Sequence, residues 1–290
     1  MRLQPAFFLL LLTYVGLFLA GCDAPEPRTR LLFATGTGLI AGNQSVTGGN
    51  IVSTSVYAET GSGNALKNFR ITCTYDNGPD SLIYLDSTLN APEFGMFFTF
   101  ATRNVPGKET WAFTISDEKN AVYRRKYTLT TTSSNIPRQP FYTYSSYFYQ
   151  KSAVENLRYF SLHDGTTYPG YAVQNNPVIK AKVDFYFKQQ TDESISLQAM
   201  PGSGIRFRAT ALSPADFSDT RTEEALVNAF ATSNAALVEE LPDLKKNQLL
   251  AFKTGSKSGL IRITSFDKAF DAQLKDSVLV RMRYEVKTQK

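Results

Sequence analysis

The chain has 290 residues, with 31 Lys+Arg against 26 Asp+Glu and a formal net charge of +5. The basic residues are dispersed along the chain rather than gathered into a stripe, so no nucleic-acid partner is expected. A single histidine excludes a His-based zinc site and a Ser-His-Asp triad within one chain.

The N-terminus comes first in chain order and carries the strongest signal. Met1-Arg2-Leu3 forms a short basic n-region, and residues 6–20 (AFFLLLLTYVGLFLA) are almost wholly apolar. As a helix that stretch reaches about 22 Å, short of the ~30 Å hydrocarbon core, so it reads as a signal-peptide h-region. Leu19, Ala20 and Gly21 precede Cys22 in the pattern of a lipobox. Small residues suit the peptidase cleft, and the thiol is the atom that accepts diacylglycerol. Residues 1–21 are therefore expected to be a lipoprotein signal peptide, with Cys22 the lipidation site. Each buried acyl CH₂ contributes roughly 0.8 kcal/mol, so several chains anchor durably. The expected location is the cell envelope, lipid-anchored, with Asp23 fitting surface export at an outer membrane. Residues 22–30, polar and proline-bearing, read as a flexible tether.

From 31 to 133 the pattern predicts an immunoglobulin-like β-sandwich. Strands are expected at 51–57, 69–75, 82–85, 96–101, 109–116 and 122–130, spaced by turn residues such as 76–79 (DNGP). In 109–116, Trp111, Phe113 and Ile115 share one face. Cys73 shares a face with Phe69, Ile71 and Tyr75. With Cys22 committed to lipid it has no intrachain partner, and a buried structural thiol is the reading.

Residues 134–140 (SNIPRQP) form the expected linker, and 141–290 a sheet-dominated α+β domain. Strands are expected at 146–151, 158–162, 182–187, 194–200 and 205–209, with a short irregular helix over 171–179. The run 220–223 (TRTE) reads as a capping box with Thr220 as N-cap, opening a helix with Leu226, Phe230 and Leu237 near one stripe. Strands 247–253 and 260–266 flank 255–259 (GSKSG), a hairpin, and 278–286 closes the sheet. The fold class is thus mainly β.

Several phrases carry a resemblance: 84–94 (YLDSTLNAPEF), 107–117 (GKETWAFTISD), 181–187 (AKVDFYF), 249–254 (LLAFKT) and 259–263 (GLIRI). In these the chain resembles uncharacterised two-domain surface lipoproteins of Gram-negative bacteria that consume glycans. The resemblance spans nearly the whole mature chain and implies architecture and location. Its phrases are structural, so it implies no active site.

Few residues group as a site. His163 lies beside the Asp164-Gly165 turn and reads as a surface residue. The 255–259 segment lacks phosphate-loop spacing. Asp76, Gly78 and Asp80 could aim oxygens at calcium but lack further ligands. Glu223-Glu224 and Glu239-Glu240 read as solvated helix faces. In 141–149 (FYTYSSYFY), Tyr142, Tyr144, Tyr147 and Tyr149 are the candidate ligand-binding residues, since aromatic faces stack on sugar C–H surfaces. Core or interdomain packing is the competing reading of the same rings. No cofactor, metal or catalytic set is expected. The function expected is a non-enzymatic envelope lipoprotein in binding or assembly, with a glycan or an envelope protein as partner. The alternative is a carbohydrate-active hydrolase using carboxylates of the C-terminal domain.

Cys22→Ser is expected to move the protein from the membrane to the soluble fraction and to remove the acyl mass from its N-terminal peptide. Membrane retention of the variant at the natural level would contradict the lipobox reading.

Overall fold

The computed structural model describes residues 29–61, 64–76, 81–132, 140–150, 156–255, 257–270 and 278–290. The signal segment, Cys22, most of the tether and nearly all of the linker lie outside the described residues.

The first half is built from β1 (Arg30–Phe33), β2 (Gln44–Thr47), β3 (Ile51–Glu59), β4 (Leu66–Tyr75), β5 (Ser81–Ala91), β6 (Glu93–Ala101), β7 (Gly107–Asp117) and β8 (Val122–Thr132). One sheet has the order β1-β3-β6; the other has β2-β8-β7-β4-β5, with β2 parallel to β8. Period-two alternation turns Val52, Val56, Phe98 and Phe100 of the first sheet toward Phe69, Ile71, Trp111 and Phe113 of the second. The rings interlock: Phe100 and Trp111 lie 4.1 Å apart between centroids, and Phe33 meets Phe113 edge-on at 5.0 Å. Cys73 is buried in this core. Thr29 and Arg30, expected within the tether, belong to the sandwich. Arg30 already pairs with Glu59, and the Thr29 hydroxyl donates to Asp117 at 2.8 Å.

The second half runs β9 (Phe141–Gln150), β10 (Asn156–Leu157), β11 (Tyr159–Ser161), β12 (Thr166–Tyr168), α1 (Gly170–Asn175), α2 (Pro177–Lys182), β13 (Phe185–Gln189), β14 (Ile195–Ala199), β15 (Arg206–Ala209), α3 (Pro214–Asp219), α4 (Glu223–Ala231), β16 (Glu240–Leu241), β17 (Leu249–Thr254), β18 (Lys257–Phe270) and β19 (Val278–Gln289). A six-stranded sheet, β10-β9-β19-β18-β17-β15, packs against a five-stranded one, β12-β11-β13-β14-β16. Phe148, Ile261 and Met282 meet Phe185, Phe187 and Leu197 between them. Helices α3 and α4 cover the other face of the larger sheet through Phe217, Leu226 and Ala229. The fold is mainly β, a sandwich followed by a sheet-dominated α+β region. No helix among the described residues is long and apolar enough to cross a membrane.

Local chemistry shifts two expected boundaries. The N-cap of α4 is Thr222, whose hydroxyl accepts the Ala225 amide at 3.1 Å. Thr220 instead ends α3, its hydroxyl donating to the Asp216 carbonyl at 2.7 Å, and the capping box belongs to Ser213 and Asp216. Leu237, exposed, falls beyond the helix. Residues 171–179 divide into α1 and the start of α2 because the Asn176 side chain accepts from Val178 N and Ile179 N, restarting the helix. Lys182 therefore ends a helix and does not begin a strand.

The two halves share part of a core. The sandwich core continues into Leu157, Tyr159, Tyr168, Val173 and Ile179. At the junction, Asn104, 3% exposed, uses its amide as a strand would. Its Nδ2 donates to the carbonyls of Gly165 (2.5 Å) and Ser145 (3.3 Å), while its Oδ1 accepts from Ser145 N at 3.2 Å. The approach is close enough that a Cβ on Gly49 (φ +76°) would sit 2.7 Å from Asn104 Oδ1 and 2.8 Å from Ser145 O.

Candidate functional site

The junction opens on one side into a cleft of about 500 Å³. Four stretches of chain supply its walls: Tyr75 and Asp76 at the end of β4, Arg103 and Val105 before β7, His163 to Tyr168 around the β11–β12 turn, and Val178 to Lys182 on α2. Leu82 of β5 adds an apolar edge.

On the sandwich wall the chain leaves β4 through Asp76 at φ 50°, a left-handed conformation that a short polar side chain tolerates. This turns the Asp76 carboxylate back, where Oδ1 accepts from Lys108 N at 2.8 Å and Oδ2 from Arg103 Nη1 at 2.7 Å. The hydrogen bonds from Arg103 and the Lys108 amide hold its pKa below the usual carboxylate value. Gly107 has no Cβ because one would overlap this pair, lying 2.7 Å from Arg103 Nη1. The guanidinium also stands over the Tyr75 ring, 5.4 Å from its centroid. With both oxygens taken, Asp76 is not the open calcium ligand its spacing suggested. Gly78 and Asp80 lie outside the described residues, and among those described no group of three or more His, Cys, Asp or Glu could hold a metal.

Behind Arg103 lies Glu109, 1% exposed. Its Oε1 accepts from Arg103 N at 3.3 Å, and the Trp111 indole N–H is near enough to the carboxyl to favour its ionised form. Burial, opposed by Arg103, pushes the Glu109 carboxyl up to about 7. Tyr75 and Tyr84 share a 2.5 Å hydroxyl contact beside it, and burial drives both phenols well above their ordinary value. Burial also raises the Cys73 thiol, which keeps it from acting as a nucleophile.

On the opposite wall, Asp164 accepts from Thr166 N at 3.2 Å and from the Tyr168 hydroxyl at 2.7 Å. Gly165 between them takes φ +64°, and a Cβ there would strike the Tyr144 ring. His163 is exposed beside this turn, as expected, and also lines the cleft.

The aromatic run is placed differently from a ligand platform. Tyr142 is 41% exposed, Tyr149 is half-buried, and Tyr144 and Tyr147 are 3% and 1% exposed. The physical reason is that β9 is interior to its sheet and serves three cores. Tyr144 and Phe148 enter the core between the two C-terminal sheets, Phe141 the core beneath the helices, and Tyr147 the sandwich core. Tyr149 lines a small apolar groove with Phe97, Leu157 and Pro169. The open aromatic surface lies elsewhere, on the outer face of β1-β3-β6, where Leu32, Tyr57 and Phe97 (56%) are exposed. Phe97 falls out of phase with Phe94, Met96, Phe98 and Phe100, a signal that alternation could have found. Glu223 and Glu224 lie in the first turn of α4, as expected of a helix face. Glu239 and Glu240 are solvated at a short strand and not on a helix: Glu239 pairs with Arg206 at 2.6 Å and Glu240, in β16, accepts from Gln198.

The sequence matches no family model and no curated protein. Among solved structures, the crystal structure of Spo0M, a sporulation control protein from Bacillus subtilis, is similar over 88% of this chain and 89% of that chain. The identity is 7% and the TM-score 0.26, a likeness from which nothing carries over.

The Glu109 carboxyl holds its proton longer in the folded chain than at its ordinary value of 4.5. The stability this adds is fully present below about 4.5 and is lost as the pH rises through about 7. Glu109→Gln is expected to flatten that fall, leaving the variant about 3 kcal/mol more stable than the natural chain at alkaline pH. Denaturant unfolding across this pH window checks it, and an unchanged slope in the variant would contradict the assignment.

Proposed function

We propose that this is a non-enzymatic, lipid-anchored cell-envelope protein that binds a polar ligand, a glycan segment, in the cleft between its two halves. The observation that carries the reading is the composition of the cleft. Hydrogen-bonding groups of both signs (Arg103, Lys182, Asp164) stand beside small apolar surfaces (Leu82, Val105, Ile179), in a volume of about 500 Å³. A polyol offers donors, acceptors and C–H faces together, and small-molecule sites have roughly this size. The lipobox and the resemblance to surface lipoproteins of glycan consumers support the location. The strand orders β1-β3-β6 and β2-β8-β7-β4-β5, with the parallel β2–β8 pair, support reading the sandwich as immunoglobulin-like.

A hydrolase would need a proton donor that reaches the substrate. Among the described residues, burial raises two carboxyls, Glu109 and Asp184. Neither lines the cleft, Glu109 being 1% exposed and Asp184 accepting from the Leu162 amide, which favours binding over hydrolysis.

Val105→Trp would fill the cleft from a half-buried loop position without touching its hydrogen bonds. On a glycan array, the natural chain is expected to retain a defined set of oligosaccharides and the variant to lose them with unchanged melting temperature. Full retention by the variant would remove the cleft from the account.

A further inference from the structure

We propose that one edge of the sandwich, where β8 runs beside β1, docks on the phosphate headgroups of the bilayer that holds the lipid anchor. The inference rests on the lipidation of Cys22 and adds an orientation on the membrane, which an anchor alone does not impose.

The path of the chain puts this edge near the bilayer. Thr29 is fixed to the end of β7 by its hydroxyl bond to Asp117. β1 then runs beside β8 until the Phe33 ring meets the Arg125 guanidinium, 5.9 Å from the ring centroid. A strand advances about 13 Å from Thr29 to Phe33. Cys22 precedes Thr29 by seven residues, which at full extension span at most about 25 Å. Lipidation of Cys22 therefore holds the β1–β8 edge close to the membrane surface.

The edge carries the matching charge. β2 pairs only with residues 129–132 of β8, so the stretch from Val122 to Tyr127 has no strand on its outer side. Arg124, Arg125 and Lys126 lie in that free stretch, all exposed. Alternation turns Arg124 and Lys126 to the outer face of the sheet and Arg125 toward Phe33, so cations stand on both sides of the strand. Their partners across β7 are Thr114, Phe113 and Ala112, and no carboxylate lies within ion-pair distance of the three among the described residues. The carboxylates around the edge do not cancel them. Glu118 pairs with Lys67 at 3.0 Å, Glu59 with Arg30 at 3.8 Å, and Asp117 has the Lys119 charge beside it. Each of those acids is matched by one cation, and the β8 cations are left over. Glu93, two strands from β1, reduces this excess without removing it. Val122 (65% exposed) adds an apolar side chain at the same edge. Three such cations favour an anionic lipid surface over a neutral one by about a hundredfold in all. That attraction fades beyond roughly 8 Å at physiological salt, so the edge must rest on the headgroups to gain it.

The test is acetylation footprinting of lysines, read by mass spectrometry, on the full lipidated chain in vesicles. One set is phosphatidylcholine alone, the other phosphatidylcholine with phosphatidylglycerol. Lys126 is expected to react about tenfold more slowly on the anionic vesicles, and high salt should restore its rate. Lys253, exposed on β17 in the other half, should react alike on both. Arg124→Gln combined with Arg125→Gln should bring Lys126 on anionic vesicles to its rate on neutral ones, with the protein still anchored. A Lys126 rate that ignores lipid charge, or protection that survives the double substitution, overturns the docking and leaves the anchor standing. The three cations would then serve only to guard a free strand edge. A chain that stays with neither kind of vesicle overturns the anchor and the docking together.

Discussion

The arrangement of this molecule depends on one buried side-chain amide. Asn104 docks on Ser145 of β9 with both its donor and its acceptor and reaches the Gly165 carbonyl with the same nitrogen. Leaving those backbone groups unpaired in a buried junction would cost about 1–3 kcal/mol each. The amide therefore fixes where the sandwich sits on the six-stranded sheet. The cleft follows from it directly, because Arg103 and Val105 flank Asn104 on one wall, and His163 to Thr166 flank Gly165 on the other. Glycines complete the contact: Gly49 lets the backbones approach, and Gly165 gives room to Tyr144.

Charge is handled differently inside and at the cleft. Lys287 is buried, yet its ammonium donates to the carbonyls of Phe217 and Thr220 and lies over the Phe217 and Phe141 rings. Its charge closes the C-terminal end of α3 and is fully used. Arg262 is likewise held by Glu285. Lys182 also ends a helix but is exposed at the edge of the cleft. Glu109 is a third case, a carboxyl whose burial pushes its pKa up to about 7.

Local pattern made most strands legible in the sequence. Alternation placed Trp111, Phe113 and Ile115 on one face, and all three are buried. It placed Cys73 in the same core. The aromatic run of β9 was legible as a strand but not as one with both faces covered, because that depends on three separate layers packing around it. The cap of α4 differs from the expected one by two residues because the capping-box pattern favours Thr220, with Glu223 three positions on, whereas Thr222, followed by Ala225 at that place, caps with its hydroxyl alone. Only the end of α3, set by Ser213 and Asp216, decides between them. The cleft was not legible at all. Its residues come from four stretches separated by tens of positions, each carrying one or two ordinary polar groups, and no spacing within any stretch marks them. What joins them is the position of Asn104, a residue with no distinguishing sequence context.

The claim that Asn104 fixes both walls can be tested by amide hydrogen exchange on Asn104→Leu, which keeps the volume and removes the amide. The account predicts faster exchange at Ser145 and through the His163 to Thr166 turn, with β4 and β7 of the sandwich still protected. Natural protection at Ser145 and across that turn in the variant would contradict it.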